Sequence, residues 1–133
     1  MKAITICQPY AHLISTGAKR VENRTWPTRY RGQILIHAGK SQKMLHGDDS
    51  TGMTFGAFVA LARIIDCVHI DRIERGEVDE QYPWLADHAH AHGPWCLILS
   101  DVSPLSEPIQ AKGALGLWNA DVKLVAEIVR GRE

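Results

Sequence analysis

This sequence lacks long apolar runs, cysteine pairs and an excess of charge of either sign. No hydrophobic stretch approaches the ~20 residues that span a bilayer, and Gln8, Pro9 and His12 interrupt any apolar signal-peptide core. The three cysteines are far apart and form no CxxC pair. That spacing argues against a disulfide framework or a zinc site and favours a reducing compartment. We therefore expect a cytoplasmic protein, or a nuclear one in a eukaryote, with no membrane contact.

The net charge of zero argues against binding of nucleic acid through a broad, positively charged surface. The charges are nevertheless unevenly distributed along the chain. Residues 18–43 hold seven basic residues and one acid, whereas residues 66–87 hold seven acids and two basic residues. If the fold keeps these segments apart, one face is basic and suits phosphates, and the acidic segment 66–87 suits a protein partner.

Several cofactor and catalytic signatures are also missing. The sequence has no P-loop, no GxGxxG and no Ser/His/Asp order, so no cofactor is expected. His88, His90 and His92 suggest a metal tract, but their alanine-rich surroundings offer no obvious fourth ligand except Asp87. We expect surface histidines there and no metal centre.

Short strand-like and helix-like segments alternate over residues 1–133, which predicts one α+β domain. The strands are expected to form a compact, partly closed β-barrel of five or six strands with short peripheral helices. Pro104 and Pro108 are expected to mark a turn. The predicted strands are 2–7, 19–24, 33–38, 55–70, 95–102 and 113–118, and the predicted helices are 10–16 and 119–130.

The segment GAKRVENRTW, residues 17–26, is the strongest candidate for a binding site. If it is extended, Arg20, Glu22 and Arg24 share one face, and the glutamate would fix both guanidinium groups. Lys19 would then stand on the opposite face or at the strand edge, less constrained. Such an arrangement suits a polar pocket for a nucleotide-like ligand. The alternative is a solvated strand whose charges merely pair.

Two polar positions outside that segment are further candidates. The tripeptide QPY, residues 8–10, lies at a predicted strand-to-helix junction, where backbone N–H groups can bind an anion. Gln8 can donate and accept hydrogen bonds, as a base edge requires, although a simple helix start explains the tripeptide equally well. His37 lies in an apolar strand and is either a satisfied core histidine or part of a pocket beside Lys19.

Tryptophan side chains can stack on unpaired bases but more often anchor a core. Trp95 and Trp118 lie inside strand patterns and are expected in the core. Trp26 is flanked by Thr25 and Pro27, so it is the better candidate for an exposed stacking platform.

Taken together, these motifs resemble the signature of the ASCH family, named for activating signal cointegrator homology. The matching runs are QPY, then GxKRVExRxWxT over residues 17–28, then Arg31-Gly32. The segments at 62–67 and 116–118 are also similar to that family, and the cointegrator-type branch is the most similar one. The resemblance implies a PUA-like β-barrel with a cleft lined by the motif, and contact with RNA or DNA.

The resemblance also bears on catalysis. One branch of the family contains acetylcytidine amidohydrolases, in which a threonine nucleophile follows the motif lysine by three residues. Here Glu22 occupies that position, and a carboxylate cannot replace a hydroxyl nucleophile without changing the mechanism.

We therefore predict nucleic-acid binding. The alternatives are a nucleoside hydrolase or metal-independent ribonuclease using Lys19 and Glu22, or an interaction module without catalysis. The predicted ligand-binding residues are Gln8, Pro9, Tyr10, Lys19, Glu22, Arg24, Thr25, Trp26, Arg31, His37 and Lys40.

Overall fold

The computed structural model describes residues 1–130, without the side chains of Val122 and Val129. It contains six β-strands, three short α-helices and one 3-10 turn. Over this range, no helix combines the length and the hydrophobicity needed to cross a membrane. In chain order the elements are β1 (Lys2–Ile6), α1 (Tyr10–Ser15), β2 (Val21–Arg24), β3 (Gly32–Ala38), the 3-10 turn (Lys43–Leu45), β4 (Ala57–His69), α2 (Ile70–Glu74), β5 (Trp95–Gln110), β6 (Leu117–Asn119) and α3 (Val122–Arg130).

The strands form one mixed sheet in the order β2-β5-β4-β3-β1-β6. Strand β1 runs parallel to β3, with Lys2 opposite Ile34, and antiparallel to β6. Strand β2 runs antiparallel to β5, with Glu22 opposite Leu97. The predicted α+β class, with six strands and short helices, is therefore confirmed.

The chain divides into two compact units. The first unit comprises residues 1–18, 33–62 and those from 101 onward. Apolar side chains on alternate strand positions and on α3 build its core, because each strand buries one face. The buried members of this core are Ala3, Leu35, Phe58, Leu61, Ala120 and Ile128.

The second unit comprises residues 19–32 and 63–100. Its core includes Tyr82, whose hydroxyl donates to Asp66 Oδ2 at 2.8 Å. Burial, together with that carboxylate, raises the pKa of Tyr82 to about 12. The other buried members are Val21, Val68, Ile73, Val78, Leu85, Cys96 and Ile98.

The acidic and basic segments of the sequence do not separate between the units. All seven acids of residues 66–87 lie in the second unit, together with five of the seven basic residues of 18–43. That unit holds eight acidic and eight basic residues in total. Its charge is therefore balanced, and any attraction for phosphate has to be local.

Two strand predictions need correction. The strand expected over 19–24 begins only at Val21. The turn expected at Pro104 and Pro108 lies inside β5, which continues to Gln110. Strand β2 pairs only with residues 95–98 of β5. The later part of β5 has no β2 partner on that side, so a missing proline N–H is tolerated there.

The first and last helices follow their sequence signals. Helix α1 ends before Gly17, which has φ +86° and donates its N–H to Ile14 O. Helix α3 begins after Asp121, whose Oδ1 accepts the N–H of Lys123 at 2.8 Å as an N-cap does. Part of the predicted apolar stripe of α3, at Val122 and Val129, lies outside the described side chains.

Candidate functional site

A single carboxylate holds two cations at the start of β2. Glu22 Oε1 accepts a hydrogen bond from Lys19 Nζ at 2.9 Å, and Glu22 Oε2 lies 2.8 Å from Arg24 Nη2. Lys19 also donates to the carbonyl of Val21. Lys19 is only 3% exposed and Glu22 8%, whereas the Arg24 side chain is 22% exposed. We call Lys19, Glu22 and Arg24 the ion-pair cluster.

Of the two cations predicted to pair with Glu22, Arg24 does so, and Lys19 takes the place expected for Arg20. Lys19 was expected on the opposite face from Glu22 or at the strand edge, but it precedes the strand, so strand alternation does not apply to it. Its long side chain reaches Glu22, three residues later. Glu22 therefore fixes Arg24 and Lys19, and the expectation that it fixes Arg20 is wrong.

Arg20 is held by other groups of the second unit. Its guanidinium carbon lies 3.7 Å from the centre of the Trp84 ring, in cation–π contact. Its backbone N–H donates to His88 Nε2 at 3.0 Å, and its carbonyl accepts from the N–H of Leu99 at 2.9 Å. These contacts fix the backbone immediately before Val21.

The segment 87–93, which we call the histidine loop, is attached to β2 by Asn23. The Asn23 amide donates to the carbonyl of His90 at 2.8 Å. Its Oδ1 accepts the N–H of His92 at 2.9 Å and that of Gly93 at 2.7 Å. Among the side chains described, no group of three or more His, Cys, Asp or Glu residues is placed to hold a metal ion.

Two imidazoles of the histidine loop favour the neutral form. Partial burial is the largest cause of the lowered pKa of His88, followed by the charges of His90, Arg20, Lys19 and His92. Partial burial also lowers the pKa of His90, with Lys19 and His92 as smaller causes. The loop therefore lies within electrostatic reach of the ion-pair cluster.

The other predicted residues of the second unit are more exposed to solvent than Lys19 and Glu22. Trp26 is half-buried, with its ring centre 5.8 Å from the Arg24 guanidinium carbon, and Thr25 is exposed. Arg31 is exposed and lies 3.6 Å from Asp66. Trp95, expected in the core, is half-buried and contacts the ring of His69 edge-on at 4.9 Å.

In the first unit, Gln8 is buried and both ends of its amide are bonded. It donates to Thr54 O at 2.7 Å and accepts from the N–H of His12 at 2.9 Å. Together with His12 and Thr54, it lines a small pocket of about 170 Å³. Pro9 precedes α1, Tyr10 begins it, and both are half-buried, whereas Lys40 is exposed.

His37 has the contacts of a core histidine. It is 1% exposed, its Nδ1 lies 3.2 Å from Thr5 Oγ1, and its Nε2 lies 2.7 Å from Ala111 O. Burial lowers its pKa, and the Ala111 carbonyl partly opposes that shift. Trp118, which was expected in the core, is half-buried: its ring centre lies 5.7 Å from that of Phe58, and its indole N–H donates to Thr5 Oγ1 at 3.1 Å.

A larger pocket of about 720 Å³ lies between residues 104–110 of β5 and α3. Leu105, Ile109, Leu124 and Ile128 give it an apolar part, and Glu107 and Glu127 give it a polar one. Its described lining contains none of the predicted site residues, so it carries no part of the motif.

Comparison with known proteins agrees with the motif. The model of the ASCH domain matches residues 4–108, which include most of β1, all of β2 to β4 and most of β5. The chain belongs to the ASCH domain family.

Curated relatives and solved structures place the chain among other ASCH proteins. It is 24% identical to human and 25% identical to mouse activating signal cointegrator 1, over 91% of this chain but only 22% of each relative. A crystal structure of ASCH from Zymomonas mobilis is 16% identical, covers 97% of this chain and 93% of its own, and superposes with a TM-score of 0.61. A crystal structure of a mutant form of that protein, 15% identical to this chain, superposes with a TM-score of 0.58. This likeness confirms the PUA-like fold.

Three residues of the second unit were missed by the motif analysis of this ASCH chain. Asn23 occupies a variable position of the motif pattern, Trp84 lies in the acidic segment, and His88 was considered only as a metal ligand. Asn23 carried a usable signal, because an asparagine in a strand is disfavoured unless its side chain is engaged. Trp84 and His88 lie 64 and 68 residues from Arg20 in the chain. Their contacts with it therefore could not be predicted from a local sequence pattern.

Proposed function

We propose that this ASCH chain binds nucleic acid at the ion-pair cluster, with single-stranded RNA as the first candidate ligand. The observation that carries the proposal is the arrangement of two cations around one buried carboxylate. The cluster keeps a surplus positive charge, and Glu22 holds Arg24 in position before any ligand arrives. A fixed guanidinium loses less conformational entropy on binding a phosphate than a mobile one.

The neighbouring aromatic side chain suits a nucleic-acid ligand better than free phosphate. Trp26 is half-buried beside Arg24 and lies on the irregular segment that follows β2. A base unstacked from its strand can pack on such a ring while its phosphate contacts the guanidinium. Single-stranded RNA offers splayed bases, whereas a duplex keeps its bases stacked.

The balanced charge of the second unit limits how many phosphates can be engaged. Eight acids and eight basic residues give no net attraction at a distance. Recognition then depends on the cations of the cluster, and the salt dependence of binding should be that of one to three phosphate contacts.

Binding is better supported than catalysis. Both carboxylate oxygens of Glu22 are occupied by cations, so accepting a substrate proton would require an ion pair to break first. A protein partner for residues 66–87 has less support, since Asp66 and Glu77 of that segment are engaged by arginines within the unit. The activity of the whole cointegrator is not transferred, because this chain spans 22% of its length.

The test is fluorescence-anisotropy titration of labelled single-stranded RNA, single-stranded DNA and duplex DNA. Lys19→Met keeps Glu22 paired with Arg24 but removes one cation, so we expect RNA affinity to fall about tenfold, or ~1.4 kcal/mol. Lys123→Met, at an exposed position of α3, is the matched control and should change affinity less than twofold. Circular dichroism verifies that both variants fold. Absence of wild-type binding up to about 100 µM, the weak limit of non-specific binding, would refute the proposal.

The hydrolase alternative is decided with the same proteins. Wild type and Lys19→Met are incubated with acetylcytidine and with single-stranded RNA, and products are separated by chromatography. Turnover by wild type that Lys19→Met loses would favour an enzyme. Equal turnover by both proteins would indicate contamination, and no turnover would leave the binding proposal in place.

A further inference from the structure

The histidine loop has no regular secondary structure, although it lies directly before the β5 segment that pairs with β2. Backbone N–H and C=O groups in such a loop need partners, because an unpaired buried polar group is costly. Asn23 supplies three of them, at His90, His92 and Gly93. One side chain thus replaces the ladder hydrogen bonds that a longer strand would provide.

Few side chains can make this set of contacts. The loop presents one carbonyl and two N–H groups to the same point, and a carboxamide both donates and accepts. An aspartate of equal size would lose the donor to His90, and an alanine would lose all three bonds. Asn23 is opposite Cys96 in the β2–β5 register. Because Cys96 comes only three residues after Gly93, the side chain of Asn23 is at the point where the loop joins the sheet.

The loop so held carries two imidazoles toward the cations of the second unit. His88 Nε2 accepts the N–H of Arg20, the residue next to Lys19 in the chain. The rings of His88 and His90 lie 5.6 Å apart, and the Trp84 ring lies 5.3 Å from that of His88. The groups that face these imidazoles are therefore Arg20, Lys19, Trp84 and His92.

We propose that Asn23 is a positioning residue that fixes the histidine loop against β2, so that His88 and His90 form one side of the ligand site at the ion-pair cluster. The ligand is the phosphate-bearing nucleic acid inferred above, and this part of the inference rests on the proposed function. The attachment of the loop by Asn23 does not rest on it. Asn23 acts through the loop, so its loss displaces the histidines while leaving Lys19, Glu22 and Arg24 paired.

The first experiment follows the imidazoles themselves. Histidine ring titrations by NMR are compared for wild type, Asn23→Ala and Asn119→Ala, an exposed asparagine of β6 that serves as matched control. Release of the loop in Asn23→Ala ends the burial of both rings, so the midpoints of His88 and His90 should rise toward the ordinary histidine value.

The second experiment measures RNA affinity in the same variants. We expect Asn23→Ala to weaken single-stranded RNA about fivefold, the equivalent of about one hydrogen bond, and Asn119→Ala to leave it unchanged. A rise in the midpoints without any loss of RNA affinity would refute the placement of the histidines at the site. If wild type itself binds no RNA, the proposed function fails, yet the titrations still decide whether Asn23 positions the loop.

Amide hydrogen exchange on the wild-type protein covers the case in which Asn23→Ala does not fold. The N–H groups of His92 and Gly93 should exchange much more slowly than those of an unstructured peptide, because both donate to Asn23 Oδ1. Exchange at the unstructured rate, or unchanged His88 and His90 midpoints in a folded Asn23→Ala, would overturn the positioning role.

Discussion

At the scale of single residues, the burial of Lys19 makes its partners indispensable. Lys19 is only 3% exposed, so its ammonium group has lost most of its hydration, and Glu22 supplies the compensating charge. The same carboxylate holds Arg24, so one side chain determines the position of both cations. Glu22 is therefore the residue on which the geometry of the cluster depends.

Glu22→Gln should destabilise the protein by about 3 kcal/mol, since it leaves a buried ammonium without its counter-charge while keeping the size of the side chain. Urea unfolding followed by circular dichroism measures this change. Glu107→Gln, at an exposed position of β5, is the control and should stay within about 0.5 kcal/mol of wild type. A loss below about 1 kcal/mol for Glu22→Gln would mean that water, and not Glu22, stabilises Lys19.

The residue types of the cluster and the pairing of Glu22 with Arg24 were predictable from the sequence, but the pairing of Glu22 with Lys19 was not. Charged residues at Lys19, Glu22 and Arg24 indicated a polar site. Strand alternation assigned the wrong second cation, because it ignores that Lys19 precedes the strand and has a side chain long enough to reach Glu22. The contacts of Asn23 with the histidine loop span about 70 residues and depend on the tertiary fold.

At the scale of elements, glycines with positive φ mark where chain segments end or turn. Gly17 ends α1 with φ +86°, and a Cβ placed there would meet nothing within 4 Å. Gly93 ends the histidine loop with φ +77°, and a Cβ there would lie 2.7 Å from the Cβ of Ile70. The two positions share the backbone conformation and differ in the space around them.

Substitution of these glycines by alanine separates strain from crowding. Gly17→Ala should cost about 1 kcal/mol, the strain of a left-handed non-glycine residue. Gly93→Ala should cost about 3 kcal/mol, because the backbone must also shift away from Ile70. Thermal and urea unfolding of the two variants are compared. Equal losses would contradict the close packing of the histidine loop against α2.

Sequence signals predicted the elements whose ends are marked by a nearby proline or glycine. They missed the strand end that is determined by pairing with other strands. Helix α1 lies between Pro9 and Gly17, as the sequence indicates, and the long apolar run 55–70 forms β4. The end of β5 was predicted too early, because Pro104 normally stops a strand. Whether a proline is tolerated depends on which strand edge is unpaired, and only the sheet order reveals that.

At the scale of the whole molecule, three histidines share a tendency to remain neutral. Burial is the first cause of the lowered pKa of His37, His88 and His90. In the unfolded chain these imidazoles titrate at their ordinary value of 6.5. Below that pH the unfolded state therefore binds more protons than the folded state does. The stability they contribute is complete above about pH 6.5 and is lost as the pH falls through their folded-state pKa values.

The free energy of unfolding should accordingly be lower at about pH 5.5 than at about pH 7.5. His88→Gln keeps a hydrogen-bond acceptor for the Arg20 N–H but does not titrate, so it should flatten part of this dependence. Urea unfolding at several pH values measures the slope for both proteins. Equal stability of wild type at the two pH values would show that these histidines are not held neutral by the fold.

We propose that RNA binding by this neutral molecule depends on the two cations of the ion-pair cluster, Lys19 and Arg24. Its most direct test is the affinity for single-stranded RNA between roughly 50 and 200 mM salt, for wild type and Arg24→Gln. Our expectation is that log K falls with log salt with a slope of about −1 to −2 for wild type, and that Arg24→Gln makes the slope shallower by about 0.7. A flat wild-type response, or an identical slope in Arg24→Gln, would contradict it.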